Sequence, residues 1–201
     1  MLDAMGQPET MGGRLSWSVP GRLFALGADG SQYLLLEDGS IGVWSSDGTA
    51  GRLAETFGDF LTFLVNCVDW QAFAIRPAGA ADDWFQDPDL LHSVTEERKK
   101  LVWDGMNADF AAVQTWVSRE LELPLCPELE PLLFRFYTVT LRRPQFTAFY
   151  REDDGSLTCA PGLISELYSG FPLSRDRAPF DREGPTEAEK ADLAEKYGLL
   201  P

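Results

Sequence analysis

The sequence predicts an α+β fold in which antiparallel strands pack with helices around a long central helix. Three observations carry this. Residues 22–44 hold short apolar runs separated by Asp-Gly turns. Residues 57–73 and 94–122 repeat apolar side chains at helical spacing. Residues 137–159 return to β-branched and aromatic side chains around a further Asp-Gly turn.

Residues 1–13 are rich in Gly and Met without periodicity, and predict a loose start. A short strand at 16–19 ends at the turn signal Pro20-Gly21. Strands at 22–27 and 32–37 flank Asp29-Gly30, a pair suited to a tight turn because Gly adopts positive φ without a steric penalty. Asp38-Gly39-Ser40 makes the next turn and 41–44 the third strand, completing an antiparallel meander. The unbroken Leu34-Leu35-Leu36 predicts a central strand covered on both faces. Thr56 is the expected helix N-cap, with Asp59 in the first turn complementing the dipole. Phe57, Phe60, Leu61, Leu64, Val65 and Val68 form one stripe, and this helix is expected to run through Trp70 and Phe73 until Pro77.

Pro, Gly and Asp cluster between 77 and 92, marking the boundary between a section 1–78 and a section 79–170. Ser93 and Glu96 have capping-box spacing and open a helix over 94–122. Its buried side is expected to carry Leu101, Val102, Met106, Phe110, Val113, Trp116, Val117 and Leu121, with Gly105 and Asn107 positioned to kink or split it. Pro124 stops it, a shorter helix covers 128–136, and strands follow at 137–141, 145–151 and 157–159. Residues 171–184 read as an extended linker, and Thr186 opens a thin-faced helix to Tyr197, so 171–201 is a peripheral tail. Residues 1–78 alone give a marginal core, so both sections are expected to pack as one unit. No repeat period stands out.

With 32 acidic against 17 basic side chains the net charge is −15, concentrated in residues 79–170 and not in a terminal tail. Such a field repels nucleic acid and anionic membranes and accelerates encounter with a basic protein. Solubility alone is the plainer reading of the same charge. No apolar run is long enough to span a bilayer. The start of the chain has no basic and apolar regions of a secretory signal. Cys67, Cys126 and Cys159 are widely spaced without a Cys-x-x-Cys pair, which favours neither disulfides nor zinc and suits a reducing, cytoplasmic setting.

One stretch carries a family resemblance. The strand Leu23-Phe24-Ala25-Leu26-Gly27 runs into Asp29-Gly30. A second strand from Tyr33 to Glu37, a polar hairpin, and the helix start Ala54-Glu55-Thr56-Phe57-Gly58-Asp59-Phe60-Leu61 follow. Residues 23–64 resemble the C-terminal half of the SUKH superfamily domain, an α+β fold whose antiparallel sheet is followed by a closing helix. That domain usually begins with a helix bearing a Leu-Gly-x-x-Leu-Pro run; here none precedes Leu23, and the comparable Leu121-Glu122-Leu123-Pro124 lies far downstream. The resemblance implies a non-enzymatic, cofactor-free role, since many bacterial members look like immunity proteins that bind and neutralise toxins, often nucleases. The expected partner is then a basic protein such as a toxin.

The candidate partner-binding residues are Asp82, Asp83, Trp84, Phe85, Asp87 and Asp89, read as exposed aromatics set among carboxylates. The same carboxylates allow a second reading, an enzyme using a divalent metal, although the spacing lacks a calcium-loop pattern. A third is an accessory protein that docks through the apolar central helix. His92 is the only histidine and has no Ser or Cys in a known nucleophile frame beside it, so it reads as a surface or packing residue. Cys67 and the run Phe134-Arg135-Phe136-Tyr137 read as core packing, and no glycine-rich phosphate loop is present. No catalytic, cofactor or metal residue is assigned.

Overall fold

The computed structural model describes residues 15–104, 109–151 and 155–164, with the isolated helical positions Ala188, Ala191 and Glu195. The expected loose start, linker, most of the tail, and the residues Met106, Gly105, Asn107, Asp153 and Asp154 lie outside the described residues. The fold is α+β, as the sequence predicts: among the contiguous described residues, two antiparallel sheets pack with five helices.

After β1 (Leu15–Trp17), four strands form a meander: β2 (Gly21–Leu26), β3 (Gln32–Leu36), β4 (Ile41–Trp44) and β5 (Ala50–Ala54), in the order β2-β3-β4-β5. The three turns are built alike. Asp29, Asp38 and Asp47 each accept the backbone N–H two residues on, from Ser31 (3.0 Å), Ser40 (3.0 Å) and Thr49 (3.3 Å). The glycine between adopts φ of 92°, 83° and 87° at Gly30, Gly39 and Gly48. The sequence thus carries an Asp-Gly-Ser/Thr unit with a constant spacing from Asp29 to Asp38 to Asp47. Its third copy creates β5, a strand that residue propensities do not predict.

The expectation that β3 is covered on both faces is corrected. Leu34 and Leu36 are buried while Leu35 is exposed. Pleating sends alternate residues to opposite faces, and the helical layer covers Tyr33 but stops short of Leu35 at the β2 edge. Leu34 and Leu36 instead meet Trp17, Phe146, Ala148 and Ala160, which line the second sheet and its approaches. That sheet has the order β1-β6-β7, with β6 (Ala148–Arg151) and β7 (Leu157–Cys159).

On its other face the meander receives the helices. α1 (Phe57–Asn66) begins as predicted at Thr56, whose hydroxyl oxygen accepts the Asp59 N–H (3.1 Å). It does not continue to Phe73. The chain leaves helical geometry at Cys67, and α2 (Trp70–Phe73) is a separate turn. α3 (Pro88–Asp104) starts earlier than the capping-box spacing suggests. Asp87 accepts the N–H groups of Asp89 (3.0 Å) and Leu90 (3.2 Å), and Pro88 sits in the first turn, so Ser93 and Glu96 lie within the helix. α4 (Phe110–Glu120) is distinct from α3, so the predicted 94–122 helix is two helices.

α5 (Glu130–Leu141) runs straight through the residues predicted as a strand at 137–141. Packing overrides β propensity there. Phe136, Tyr137, Val139 and Thr140 are buried, Phe136 stacks on Phe63 with centroids 4.9 Å apart, and the Thr140 hydroxyl donates to the Arg52 carbonyl (2.6 Å). The main core joins Ile41, Val43 and Leu53 of the sheet to Phe60, Phe63, Phe73, Leu133 and Phe136 of the helices.

Candidate functional site

The segment 82–89 is built around a short 3-10 turn, Trp84–Gln86, between α2 and α3. Its two aromatics do not face solvent. Trp84 is 4% and Phe85 6% exposed, and both rings pack on Tyr137, with centroids 4.9 and 5.4 Å away. The expectation of an exposed Trp84-Phe85 anchor is therefore corrected: the 3-10 turn points both side chains inward, where they close the core over α5. The carboxylates of Asp82, Asp83, Asp87 and Asp89 remain at the surface. Asp82 pairs with Arg76, and Asp87 caps α3. This leaves a solvated acidic rim without an apolar anchor of its own.

The apolar anchor lies elsewhere, on α4. Val113 (53% exposed) and Trp116 (56%) stand three residues apart on its outward side, and Leu121 and Leu125 are exposed on the chain that follows. The helical periodicity predicts Val113, Trp116 and Leu121 on the buried side of a long helix. In the structure only Ser118 of α4 is buried, with Phe110 and Val117 half-buried beneath the helix. Leu101, expected to be buried on α3, is exposed too, whereas Val102 is buried as expected.

Hydrogen bonds tie α4 and the loop after it to α1. The Gln114 side-chain amide donates to Val65 O on α1 (2.7 Å). The buried Asn66 donates to Thr62 O (2.8 Å) and Pro124 O (2.9 Å), and its own oxygen accepts the Cys126 N–H (2.7 Å). Ser118 donates to Leu123 O (2.6 Å), and Glu122 adopts the left-handed conformation, φ 53°, as the chain leaves the helix. The stripe predicted from Phe57 to Val68 leaves Asn66 out; it lies on the side of α1 that buries Phe60 and Phe63, and nothing local in the sequence marks it.

Along α4 and the following loop the exposed charges are Asp109, Glu120, Glu122 and Glu128 against Arg119. Arg119 is engaged by Glu120 (3.0 Å). The exposed charges of α4 and the loop after it are therefore net negative. An exposed aromatic side chain in the company of charged ones is a combination that protein-docking patches use.

Other groups with chemical potential are held in unreactive settings. Burial pushes the Cys67 thiol up to about 12, with Cys126 adding to the shift. Burial also raises Tyr137 and Cys159. A cleft of about 180 Å³ between α1, β5 and α5 is lined mainly by apolar side chains such as Phe63 and Val139, with an Arg135–Asp59 ion pair (3.7 Å) among its borders. It falls below the usual size of a pocket for drug-sized ligands, whereas a cavity of about 460 Å³ lined by residues such as Thr140, Phe146, Thr147, Cys159 and Leu163 falls within it. Among the described residues no helix is long and apolar enough to cross a membrane. Comparison of the chain with protein families, curated proteins and solved structures gives no match.

Proposed function

We propose that this protein is a non-enzymatic binding domain that docks a basic protein through the outward face of α4. The observation that carries this reading is the exposure of Trp116 and Val113 among exposed charges that are net negative. A partner with a shallow apolar pocket ringed by Lys and Arg fits that chemistry: the pocket takes Trp116 and the ring meets Glu120, Glu122, Glu128 and Asp109. The net charge of −15 extends the attraction beyond the contact area and raises the association rate at low salt. The acidic rim at Asp82, Asp83, Asp87 and Asp89 adds to this long-range field.

In its finer form the partner is a toxin such as a basic nuclease, and the chain is a bacterial, cytoplasmic immunity protein of the SUKH type. Support for this is the resemblance of residues 23–64, together with the way those residues fold: a meander followed at once by a helix capped at Thr56.

Calorimetry against basic toxin domains encoded beside the gene, at 50 and 300 mM salt, tests both forms. The expected result is binding that weakens with salt and falls at least tenfold in Trp116→Ala, in line with loss of an aromatic anchor of ~2 kcal/mol. Equal affinity of Trp116→Ala and the native protein would remove α4 as the docking face. Failure of the protein to protect cells from a toxin it binds would remove the immunity role.

A further inference from the structure

We propose that His92, Glu96 and Glu130 form a binding site for one divalent transition-metal ion of the zinc class, bridging α3 to α5. This site is independent of the docking face. His92 and Glu96 are four residues apart on α3 and so share one side of the helix. Glu130 opens α5 opposite them. His92 Nδ1 and Glu130 Oε1 share a hydrogen bond of 2.6 Å, which an ion replaces on binding, and one ligand atom from each of the three side chains falls within 4.8 Å of the others.

The chemistry of this donor set is specific. An imidazole with two carboxylates suits Zn²⁺ or Mn²⁺, whereas Mg²⁺ and Ca²⁺ favour oxygen-only shells. Zn–N and Zn–O distances of about 2.0–2.2 Å put tetrahedral ligand atoms about 3.4 Å apart, so side-chain rotation alone closes the cluster around an ion. The backbones that carry the ligands are anchored. Leu91 and Val94 flank His92 on α3, and Leu129 and Leu133 flank Glu130 on α5; all four are buried in the main core. The two helices therefore offer the three ligands from a fixed frame. His92 and Glu96 are exposed and Glu130 is half-buried, which gives the ion an entry path and leaves its remaining positions to water.

One neighbouring cation competes. Lys99 Nζ lies 2.6 Å from Glu96 Oε1, so an arriving ion has to displace the ammonium or share the carboxylate with it. This gives the proposal a signature that an unspecific attraction of cations to an acidic protein does not have. Removing Lys99 strengthens binding at this site, and removing His92 weakens it.

The test is Zn²⁺ titration of the untagged full-length chain, followed by calorimetry and by the imidazole NMR signals. The chain has a single histidine, so those signals report His92 alone. Expected are one Zn²⁺ per chain, displaced imidazole signals at saturation, and a rise in Tm with Zn²⁺. Affinity should fall at least tenfold in His92→Ala and in Glu130→Gln, rise several-fold in Lys99→Ala, and be weaker for Mg²⁺ and Ca²⁺ than for Zn²⁺. Absence of binding heat overturns the proposal. So do imidazole signals that stay in place at saturating Zn²⁺, which is the outcome if a cysteine takes the ion, and so does unchanged affinity in His92→Ala. His92 is exposed, so His92→Ala decides the matter even if Glu130→Gln folds poorly.

Discussion

The side-chain amide of Asn66 is clamped to the backbone of Cys126: the Cys126 N–H donates to Asn66 Oδ1 at 2.7 Å, while Asn66 Nδ2 donates to Pro124 O at 2.9 Å. One buried residue at the end of α1 thus fixes the loop that connects α4 to α5. Replacing it with Ala leaves a buried donor and acceptors without partners, which costs about 1–3 kcal/mol for each group left unsatisfied. Asn66→Ala is expected to lower stability by roughly 2–3 kcal/mol in urea unfolding. Proteolysis within residues 121–127 should accelerate along with it, because the loop loses its anchor. A stability change under about 0.5 kcal/mol would show that the amide is a passenger.

Trp84 and Trp116 should respond in opposite ways. Trp84 is buried against Tyr137 and Phe85, so Trp84→Ala opens a cavity and is expected to cost about 3–5 kcal/mol. Trp116 faces outward, and Trp116→Ala should change stability by no more than about 0.5 kcal/mol while weakening partner binding. Paired unfolding and binding curves for the two variants check this. A large stability loss in Trp116→Ala would mean that α4 is a packed element and not a docking face.

That contrast also marks where the sequence is legible. Thr56 and the Asp-Gly pairs declare themselves because capping and tight turns depend on local chemistry, and they form as read. β5 does not declare itself. Its residues, Ala50-Gly51-Arg52-Leu53-Ala54, have little strand propensity, and only the third Asp-Gly-Ser/Thr turn, Asp47-Gly48-Thr49, points to it. Tyr137-Thr138-Val139-Thr140-Leu141 misleads in the other direction, since its β-branched side chains are held helical by burial on β5 and α1. Periodicity found the apolar side chains of α4 but not their direction. An apolar stripe reads the same whether it meets a core or awaits a partner, and only the count of surrounding layers decides. The same limit misplaced Trp84 and Phe85, because a single 3-10 turn sets which way two adjacent rings point.

Asp38 ties the meander to the loop before β6. It accepts from Ser40, faces the buried Arg52 at 3.2 Å and Arg142 at 2.9 Å, and Arg52 also donates to Pro144 O. Burial alone would raise this carboxyl, but the hydrogen bonds from Ser40 and the two guanidinium groups outweigh it and hold the folded-state value below the ordinary one. A carboxyl whose folded value is depressed stabilises the fold above its unfolded pKa of about 3.9, and that contribution is lost as pH falls through the folded value. Asp29, lowered by Ser31, Gln71 and Ser46 against the effect of burial, acts in the same sense. The contribution of these two carboxyls is therefore expected to be level between about pH 5 and pH 7 and to fall below about pH 4. Asp38→Asn should flatten part of that acid limb. Urea midpoints measured from pH 2.5 to 7 decide it, and identical acid limbs in the variant and the native protein would sink the assignment.

Two glycines test how closely α5 sits on the sheet. At Gly51 an added Cβ would come within 2.7 Å of Leu163 Cβ and 3.2 Å of Thr140 Cγ2 on α5, so the strand has no room for a side chain between the segment after β7 and α5. Gly51→Ala forces β5 and its neighbours apart and is expected to cost about 1–3 kcal/mol. Gly58, in the first turn of α1, has only Thr56 Oγ1 near its added Cβ, at an ordinary 3.8 Å. There Ala restricts the unfolded chain and suits the helix, so Gly58→Ala should stabilise by about 0.4–1 kcal/mol. Thermal and urea unfolding of the two variants should move in opposite directions from the native protein. If Gly51→Ala is neutral, Leu163 and Thr140 cover β5 more loosely than these distances require, and the burial of Val139 and Thr140 on that side no longer explains why residues 137–141 are helical.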